Sequence, residues 1–327
     1  MKTRLIALAL GGIVLLAAAG CYRPAPTAPD AATVAGPSGG GAAPPALADT
    51  VLADGSAQVA AITRAVADGF QHAQPAAGVG SVAVEVNAAG PSAGFARLCG
   101  GEIDLTHAAR AMAAGEAEAC AANGVEWLEV VIGYDVLAVI ANPSDTFLSC
   151  LTLDELRAVW GEPGAADWSA VRSWFPERAI VPIAAELEPA QVRFFAEALG
   201  GALRSDATPG GDDPAFMVAQ TPGAVGFIDY GRFPAPEAGA SAAQLVSIDT
   251  GAGCAAPTPE RVWRGQYGAL ARPLYLYVSA ASLQRPAVAQ FVRYYLSADG
   301  QARIDAAGYL PAAPESYDAA LQAVAGR

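Results

Sequence analysis

The chain has 327 residues, enough for two domains with substantial cores, and 53% of them are hydrophobic. A formal net charge of −13, from 19 basic and 32 acidic residues, argues against a nucleic-acid partner because no Lys/Arg cluster can displace phosphate counterions. The two histidines and the five cysteines, which lack a Cys-x-x-Cys pair, argue against zinc and iron–sulfur sites. We therefore expect no metal and no cofactor.

The first 20 residues have the pattern of a secretory signal peptide. A basic start precedes an apolar run over 5–19, which is too short to span a membrane comfortably. The sequence AAGC at 18–21 is similar to a bacterial lipobox and predicts that Cys21 is lipidated; a plain signal peptide cut at another small residue is the alternative. We expect an exported protein that is anchored by lipid to the outer face of the cytoplasmic membrane or held in the periplasm.

Residues 21–50 are mostly Ala, Pro, Gly, Ser and Thr, a composition typical of a flexible tether that holds a folded body away from a membrane. The four remaining cysteines are Cys99, Cys120, Cys150 and Cys254. An even number of cysteines in an exported chain indicates two disulfides, and four thiols allow three pairings. The spacing alone does not choose between them.

From Val51 onward, short apolar runs alternate with amphipathic helical patterns, which predicts an α/β architecture. In chain order the patterns indicate a helix over 59–70, a strand over 82–86, a small-residue loop over 90–94 with a helix at 95–99, and two strands joined by a bend at Gly133 over 130–141. They then indicate a helix that begins at a capping box over 152–155, a strand over 273–279 and a helix over 286–296.

Two of the predicted helices begin after loops that contain Gly and Ser. Ser56 lies in the first loop, and Ser92 and Gly94 lie in the second. Helix amino ends carry free amide donors and the positive end of the helix dipole, so both loops are candidate anion sites. Ordinary turns are the alternative.

Five stretches carry a family resemblance: DGSAQVAAITRAVADGF (54–70), GPSAGFARLCGGEIDLTHAARAM (90–112), LTLDELRAVW (151–160), GAVGFIDYGRF (223–233) and YGALARPLYLYVSAASLQRPAVAQFVRYYL (267–296). In this order and spacing they resemble the periplasmic phosphate-binding proteins of phosphate ABC transporters. The resemblance implies the two-lobed α/β fold of periplasmic solute-binding proteins, with a ligand cleft between the lobes that closes by hinge motion.

The resemblance also implies a division of the chain. It suggests lobe 1 over 51–140 and 273–327 and lobe 2 over 141–272, with chain crossovers near 130–141 and 267–279. Each lobe would then contain its own disulfide, Cys99–Cys120 in lobe 1 and Cys150–Cys254 in lobe 2.

The ligand residues that the resemblance implies are Ser56, Ser92, Gly94, Asp104 and Arg110. Relatives hold phosphate with hydroxyls, backbone amides and an Arg, while an Asp accepts the ligand's proton. The implied partners are phosphate or a related oxyanion and the membrane subunits of an ABC importer, for a monomeric chain that is not an enzyme. His107, inside the same run, is predicted to lie on a helix surface, with ligand donor as the alternative.

The sequence departs from the family pattern in both lobes. Ser56-Ala57-Gln58 stands where relatives have Ser-Ser-Thr, and Pro189-Ala190-Gln191 stands where they have Ser-Gly-Thr. No Arg precedes the second motif; Glu186 and Glu188 would repel an anion if they faced the cleft. Two alternatives therefore stay open, namely a paralogue with a changed ligand and a non-transport surface lipoprotein that has lost ligand binding.

Overall fold

The computed structural model describes residues 49–74, 81–186, 189–233 and 243–326. Cys21, the predicted signal peptide and almost all of the predicted tether lie outside the described residues, as does Glu188. Among the residues described, no helix is long and apolar enough to cross a membrane.

The strands alternate with helices for most of the described chain. The strands are β1 (Thr50–Gly55), β2 (Ala83–Val86), β3 (Leu105–Ala108), β4 (Trp127–Ala141), β5 (Cys150–Thr152), β6 (Val181–Ala184), β7 (Thr208–Pro209), β8 (Ala224–Asp229), β9 (Gln244–Leu245), β10 (Ser247–Asp249), β11 (Cys254–Ala255), β12 (Ala271–Ser279) and β13 (Leu310–Pro311). The helices are α1 (Ala57–Ala73), α2 (Pro91–Cys99), α3 (Ala114–Ala122), α4 (Leu153–Trp160), α5 (Trp168–Val171), α6 (Pro189–Leu199), α7 (Pro214–Gln220), α8 (Pro259–Trp263), α9 (Pro286–Leu296), α10 (Ala298–Ala306) and α11 (Pro314–Ala325).

One sheet runs through the molecule in the order β2-β1-β3-β12-β4-β8-β6-β7, and β13 and β9 also pair with β4. Strand β4 belongs to both halves of this sheet. Its first part pairs with β12 and β13, and its last part, from Leu137 to Ala141, pairs with β8. The sheet thus passes from one half of the fold to the other along a single strand.

Each half of this sheet packs against its own hydrophobic core, and each core defines one lobe. In lobe 1, helices α1, α9 and α11 pack on β1, β3, β4 and β12, with Ile62 and Phe291 fully buried. In lobe 2, Trp160 packs edge-on against Phe195 and Phe227, whose rings stack with centroids 3.8 Å apart. The residue boundaries that the family resemblance implies for the lobes stay predictions.

Most of the elements predicted from sequence patterns are present, with two corrections. The predicted loop over 90–94 is mostly helical, because α2 begins at Pro91 and not at 95, and Ser92 and Gly94 therefore lie within this helix. The predicted pair of strands over 130–141 is a single strand, β4, which has a register shift against β12 where Leu274 pairs with Gly133 and Tyr275 with Val131. A bulge inserts one residue into a strand and bends it without ending the pairing. The irregularity therefore lies at Ile132, next to Gly133, and it does not interrupt the strand.

The predicted capping box at the start of α4 is confirmed. The Thr152 hydroxyl accepts the backbone N–H of Glu155, and the Glu155 carboxylate accepts the backbone N–H of Thr152. Two of the free amides at this helix start are satisfied in this way.

Both implied disulfides are present. Cys99 is bonded to Cys120 and Cys150 to Cys254, with sequence separations of 21 and 104 residues. The first ties α2 to α3 in lobe 1. The second joins β5 to β11 in the small sheet of lobe 2, whose order is β11-β10-β5.

Candidate ligand-binding site

The starts of α1 and α2 lie side by side at the carboxyl ends of parallel strands. Strands β1, β2 and β3 run in the same direction, and each is followed by a loop that reaches the same edge of the sheet. The backbone N–H of Gly90 donates to the carbonyl of Gly55 at 2.8 Å, which joins the two loops. This edge is where ligands bind in open α/β sheets.

Gly55 lets these loops approach closely. Its φ is 154°, and a Cβ at this position would lie 2.0 Å from the carbonyl oxygen of His107. The next residue, Ser56, donates its backbone N–H to that same carbonyl at 2.9 Å. Ser56 precedes α1, and its hydroxyl makes no capping hydrogen bond. The Ser56 hydroxyl therefore lies at the helix start without bonding to the first turn of its own helix.

Asp54, which sequence reasoning missed, positions the second loop. Its carboxylate accepts the backbone N–H groups of Gly55 and Ala89, both at 2.8 Å, and the guanidinium of Arg97 at 2.6 Å. Burial acts to raise the pKa of Asp54, but these hydrogen bonds outweigh it and hold the pKa below its usual value. An ionised carboxylate beneath the two loops therefore fixes their spacing.

Arg110 follows β3 and reaches the start of α2. Its guanidinium donates one hydrogen bond to each carboxylate oxygen of Glu116, both at 2.7 Å, and one to the Ser92 hydroxyl at 3.1 Å. The hydrogen bonds from Arg110 hold the pKa of Glu116 below its usual value, and Glu116 raises that of Arg110. The structure thus places Ser92 and Arg110 together, with a carboxylate already paired to the Arg.

Gly94 has a different role from the predicted one. Its backbone N–H donates within α2 to the carbonyl of Gly90 at 2.9 Å and so is not free for a ligand. A Cβ on Gly94 would lie 2.3 Å from the Thr106 hydroxyl and 2.9 Å from the Cα of Gly55. The absence of a side chain lets α2 pack directly on β1 and β3.

Asp104 is also placed away from the predicted site. It lies just before β3, at the opposite end of the strand from Arg110. Its carboxylate accepts the backbone N–H of Leu52 at 2.9 Å and the guanidinium of Arg285 at 2.7 Å. Asp104 is therefore a structural ion-pair residue at the far edge of the sheet, because a strand separates its two ends by its own length.

His107 is buried in β3, which corrects the predicted position on a helix surface. The residue is fully inaccessible to solvent. Burial lowers its pKa to about 4, and the charge of Asp54 only partly opposes that shift. Among the described groups, neither ring nitrogen makes a hydrogen bond of regular geometry, and a weak interaction with the backbone of Asn87 also opposes the shift in pKa only in part. A neutral imidazole thus lies directly beneath the loop that carries Ser56.

The start of α6 in lobe 2 presents no hydroxyl. Pro189 lacks a backbone N–H, and Ala190 has no polar side-chain atom. Gln191 is buried, and its side-chain amide donates to the carboxylates of Asp135 at 3.4 Å and Asp229 at 3.2 Å. Glu186 is exposed.

A central polar cluster joins the two lobes at this point. Its members are Gln58 from α1, Asp135 from β4, Gln191 from α6, Asp229 from β8 and Arg272 from β12. Arg272 donates from Nε to Asp135 at 2.9 Å and from Nη2 to the side-chain oxygen of Gln58 at 2.6 Å. Gln58 in turn donates to Asp135 at 2.7 Å. Within the part of the chain described, this cluster is the polar connection between the starts of α1 and α6.

The cluster affects the tyrosine beside it. Burial raises the pKa of Tyr309 to about 12; a hydrogen bond with Gln58 opposes the shift, and the charges of Asp135 and Asp229 add to it. The phenol therefore stays protonated.

The described residues contain no group of His, Cys, Asp and Glu side chains arranged to hold a metal ion.

The sequence contains one indication of this cluster, which the prediction of helices and strands did not use. Asp135 and Arg272 are charges of opposite sign inside the apolar runs at the two predicted crossovers. Because a buried charge needs a partner, such a pair suggests contact. Gln58 and Gln191 carry no charge, so the sequence gives no such indication that they are in contact with the pair.

Comparison with known proteins gives the class. The sequence profile of the PBP superfamily domain matches residues 40–299, and the chain belongs to this superfamily. The mixed α/β fold predicted from the resemblance is confirmed by a solved structure of a possible phosphate-binding protein from Planctomyces limnophilus. That protein is 31% identical, and the match covers 86% of this chain and 99% of the other, with a TM-score of 0.73.

Sequence relatives narrow the class further. Protein SphX of Synechocystis sp. is 30% identical over 285 residues, which cover 84% of this chain and 82% of that protein. The phosphate-binding protein PstS of Staphylococcus epidermidis is 26% identical over 237 residues, 71% of each chain. The predicted family is thereby confirmed, and the chain is homologous to both proteins.

Proposed function

We propose that this chain is the extracytoplasmic substrate-binding subunit of an ABC importer and that it captures phosphate or a related oxyanion between its lobes. The observation that carries the proposal is the joined pair of helix starts in lobe 1, where Ser56, Ser92 and Arg110 surround the amino ends of α1 and α2. Homology to PstS supports the same assignment.

The lobe-1 half of the site has the chemistry of an anion cradle. The first-turn amides of α1, and those of Ser92 and Ala93 after Pro91 in α2, have no acceptor within their own helices, and both helix dipoles place partial positive charge here. Arg110 adds a fixed positive charge, but its bidentate pair with Glu116 compensates most of it. An incoming anion would share or displace that carboxylate.

The lobe-2 half of the site supplies fewer hydrogen-bond donors for an anion. The hydroxyl motif of relatives is replaced by Pro189-Ala190-Gln191, and Gln191 already donates to two carboxylates. A charge-assisted hydrogen bond contributes about 1.5 to 3 kcal/mol, so the loss of two or three should weaken phosphate binding by several powers of ten relative to a complete site. We propose a weak oxyanion site at the family position.

A second candidate function is binding of a different solute. The buried carboxylates of Asp135 and Asp229 lie beside the start of α6, where they would repel a phosphate dianion. This observation favours a paralogue with a changed ligand. A surface lipoprotein that has lost ligand binding is the outcome if no small solute raises the melting temperature, since any ligand of the native state must do so.

Titration calorimetry of the full chain with phosphate, arsenate and sulfate tests the proposal. Arg110→Ala should weaken oxyanion binding by about tenfold or more, because it removes a charged donor. Arg293→Ala is the matched control, since Arg293 is exposed on α9 and its loss changes the net charge equally. Binding that is unaffected by Arg110→Ala would place the site elsewhere, and tight phosphate binding would mean that lobe 2 has unrecognised donors.

The anchor belongs to the same proposal. We propose that Cys21 is lipidated and that the mature chain, a monomer, is held at the membrane only by this group. Cys21→Ser should release the protein from membranes or block its processing. Mass spectrometry that finds an unmodified amino terminus at another residue would contradict the anchor.

A further inference from the structure

The two lobes meet at a carboxylate that the protein itself supplies, that of Asp135. Gln58 is the second residue of α1 in lobe 1, and Gln191 is the third residue of α6 in lobe 2. The side-chain amides of both residues donate to Asp135, at 2.7 Å and 3.4 Å. Asp135 therefore connects the amino ends of two helices from different lobes. Gln191 also donates to Asp229 at 3.2 Å, and Arg272 also donates to the backbone carbonyl of Ala190 at 3.5 Å.

This carboxylate has no access to water. Asp135 is fully buried, Gln191 is 4% exposed and Asp229 is 7% exposed. Arg272 balances one of the two negative charges, and its guanidinium stacks over the ring of Phe194 at 4.4 Å. Hydrogen bonds to a buried charge are stronger than those in water, and the partners that lose them are left unsatisfied.

The position of Asp135 in the strand makes the connection a bridge between lobes. Two positions before Asp135, Gly133 pairs with Leu274 of the lobe-1 core, and two positions after it, Leu137 pairs with Asp229 on the lobe-2 side. Gln58 and Gln191 thus approach Asp135 from opposite lobes. Separation of the lobes would break the contact with at least one of the two glutamines.

We propose that Gln58, Asp135 and Gln191 form a latch that holds the lobes together without a ligand and determines which anions the cleft accepts. Asp135 provides the negative charge that a bound oxyanion would otherwise provide between α1 and α6. Opening the latch costs free energy, so only a fraction of the molecules is open. For a ligand that needs the open state, the apparent Kd equals the intrinsic Kd divided by that open fraction, and binding is weaker. The effect on anion affinity rests on the proposed function, whereas the ligand-free closure does not.

The double variant Gln58→Thr/Gln191→Thr tests the latch by small-angle X-ray scattering without phosphate. Thr is too short to reach Asp135 as Gln does, so the radius of gyration should rise above that of the wild type. Loss of a bond to a charged acceptor should increase the open fraction by about ten- to a hundredfold. Gln322→Thr, at an exposed position on α11, should leave the radius unchanged.

The same variants are then titrated with inorganic phosphate by calorimetry. The double variant should bind phosphate about tenfold more tightly than the wild type, because less free energy is spent on opening. An unchanged radius of gyration in a folded double variant overturns the latch, and so does a wild type that is already expanded. A larger radius with unchanged or weaker phosphate binding overturns the role in anion selection.

Failure of the proposed function has a different signature. If no protein binds any oxyanion but the radius still rises in the double variant, the function is wrong and the latch stands. Should circular dichroism show that the double variant is unfolded, Gln191→Thr alone decides the question. This single variant keeps the hydrogen bonds from Gln58 and Arg272 to Asp135. If its radius of gyration equals that of the wild type, the latch is overturned.

Discussion

Arg272 on β12 lies directly opposite Asp135 on β4 in the antiparallel ladder, and its Nη2 is 2.8 Å from the Asp135 carboxylate. Directly opposite residues on neighbouring strands project their side chains to the same face, so the register itself brings the two charges together. These strands pass between the lobes, and the ion pair therefore lies at their junction.

Removal of one member of this pair should destabilise the fold strongly. Arg272→Ala leaves a buried carboxylate without its cation and should lower the free energy of unfolding by about 3 to 5 kcal/mol. Urea unfolding followed by circular dichroism measures the change. Arg193→Ala, which disrupts only a 3.9 Å pair with Glu197 on the exposed side of α6, should cost under about 1 kcal/mol. Similar losses for both variants would contradict a structural role for the buried pair.

His107 should make the protein less stable in mild acid. Its folded-state pKa of about 4 lies below the value of roughly 6.5 expected in the unfolded chain, so the unfolded state takes up the proton first as the pH falls. Stability contributed by the neutral imidazole is complete above about pH 6.5 and is lost progressively toward pH 4, by about 3 kcal/mol.

Unfolding measured across this pH range tests the assignment to His107. His107→Met should flatten the dependence, because it removes the group that titrates. Gln322→Met, at an exposed position on α11, should leave the slope as it is in the wild type. A slope that survives His107→Met would assign the acid sensitivity to other groups.

The two disulfides should contribute unequally to stability. In the chain-entropy description, a cross-link contributes about 3 kcal/mol for a short loop and about 4.7 kcal/mol for a loop near 100 residues. The separations of 21 and 104 residues thus predict a larger loss for Cys150→Ala/Cys254→Ala than for Cys99→Ala/Cys120→Ala. Denaturant midpoints of the two double variants provide the comparison, and the reverse order would show that strain or residual structure dominates.

Gly94 should tolerate no side chain. A methyl group there would meet the Thr106 hydroxyl and the backbone of Gly55, so Gly94→Ala should displace α2 and destabilise by about 1 to 3 kcal/mol. Gly115→Ala is the control, because its Cβ would have open space and alanine favours a helix. We expect this control to be neutral or slightly stabilising in thermal unfolding. Equal stability of the two variants would contradict the close packing of α2.

The alternation of strands and helices could be predicted from the sequence alone, because periodicity and turn residues act locally. The helix over 286–296 has the predicted bounds, and the capping box at Thr152 forms as expected. The first helix starts close to its predicted position, directly after Ser56, whereas α2 begins at Pro91, four residues before the predicted start at 95. The disulfide pairing needed the family resemblance, because spacing alone left three choices open.

Which polar residues come together could not be predicted without the folded structure. Asp104 and Arg110 are six positions apart in the chain, but β3 carries them to opposite edges of the sheet. Gln58, Asp135 and Gln191 are far apart in the chain, yet they meet because α1, β4 and α6 converge at the junction of the lobes. Local patterns report the propensity and burial of one segment, whereas a site assembled from several segments exists only after long-range strand pairing has fixed their positions.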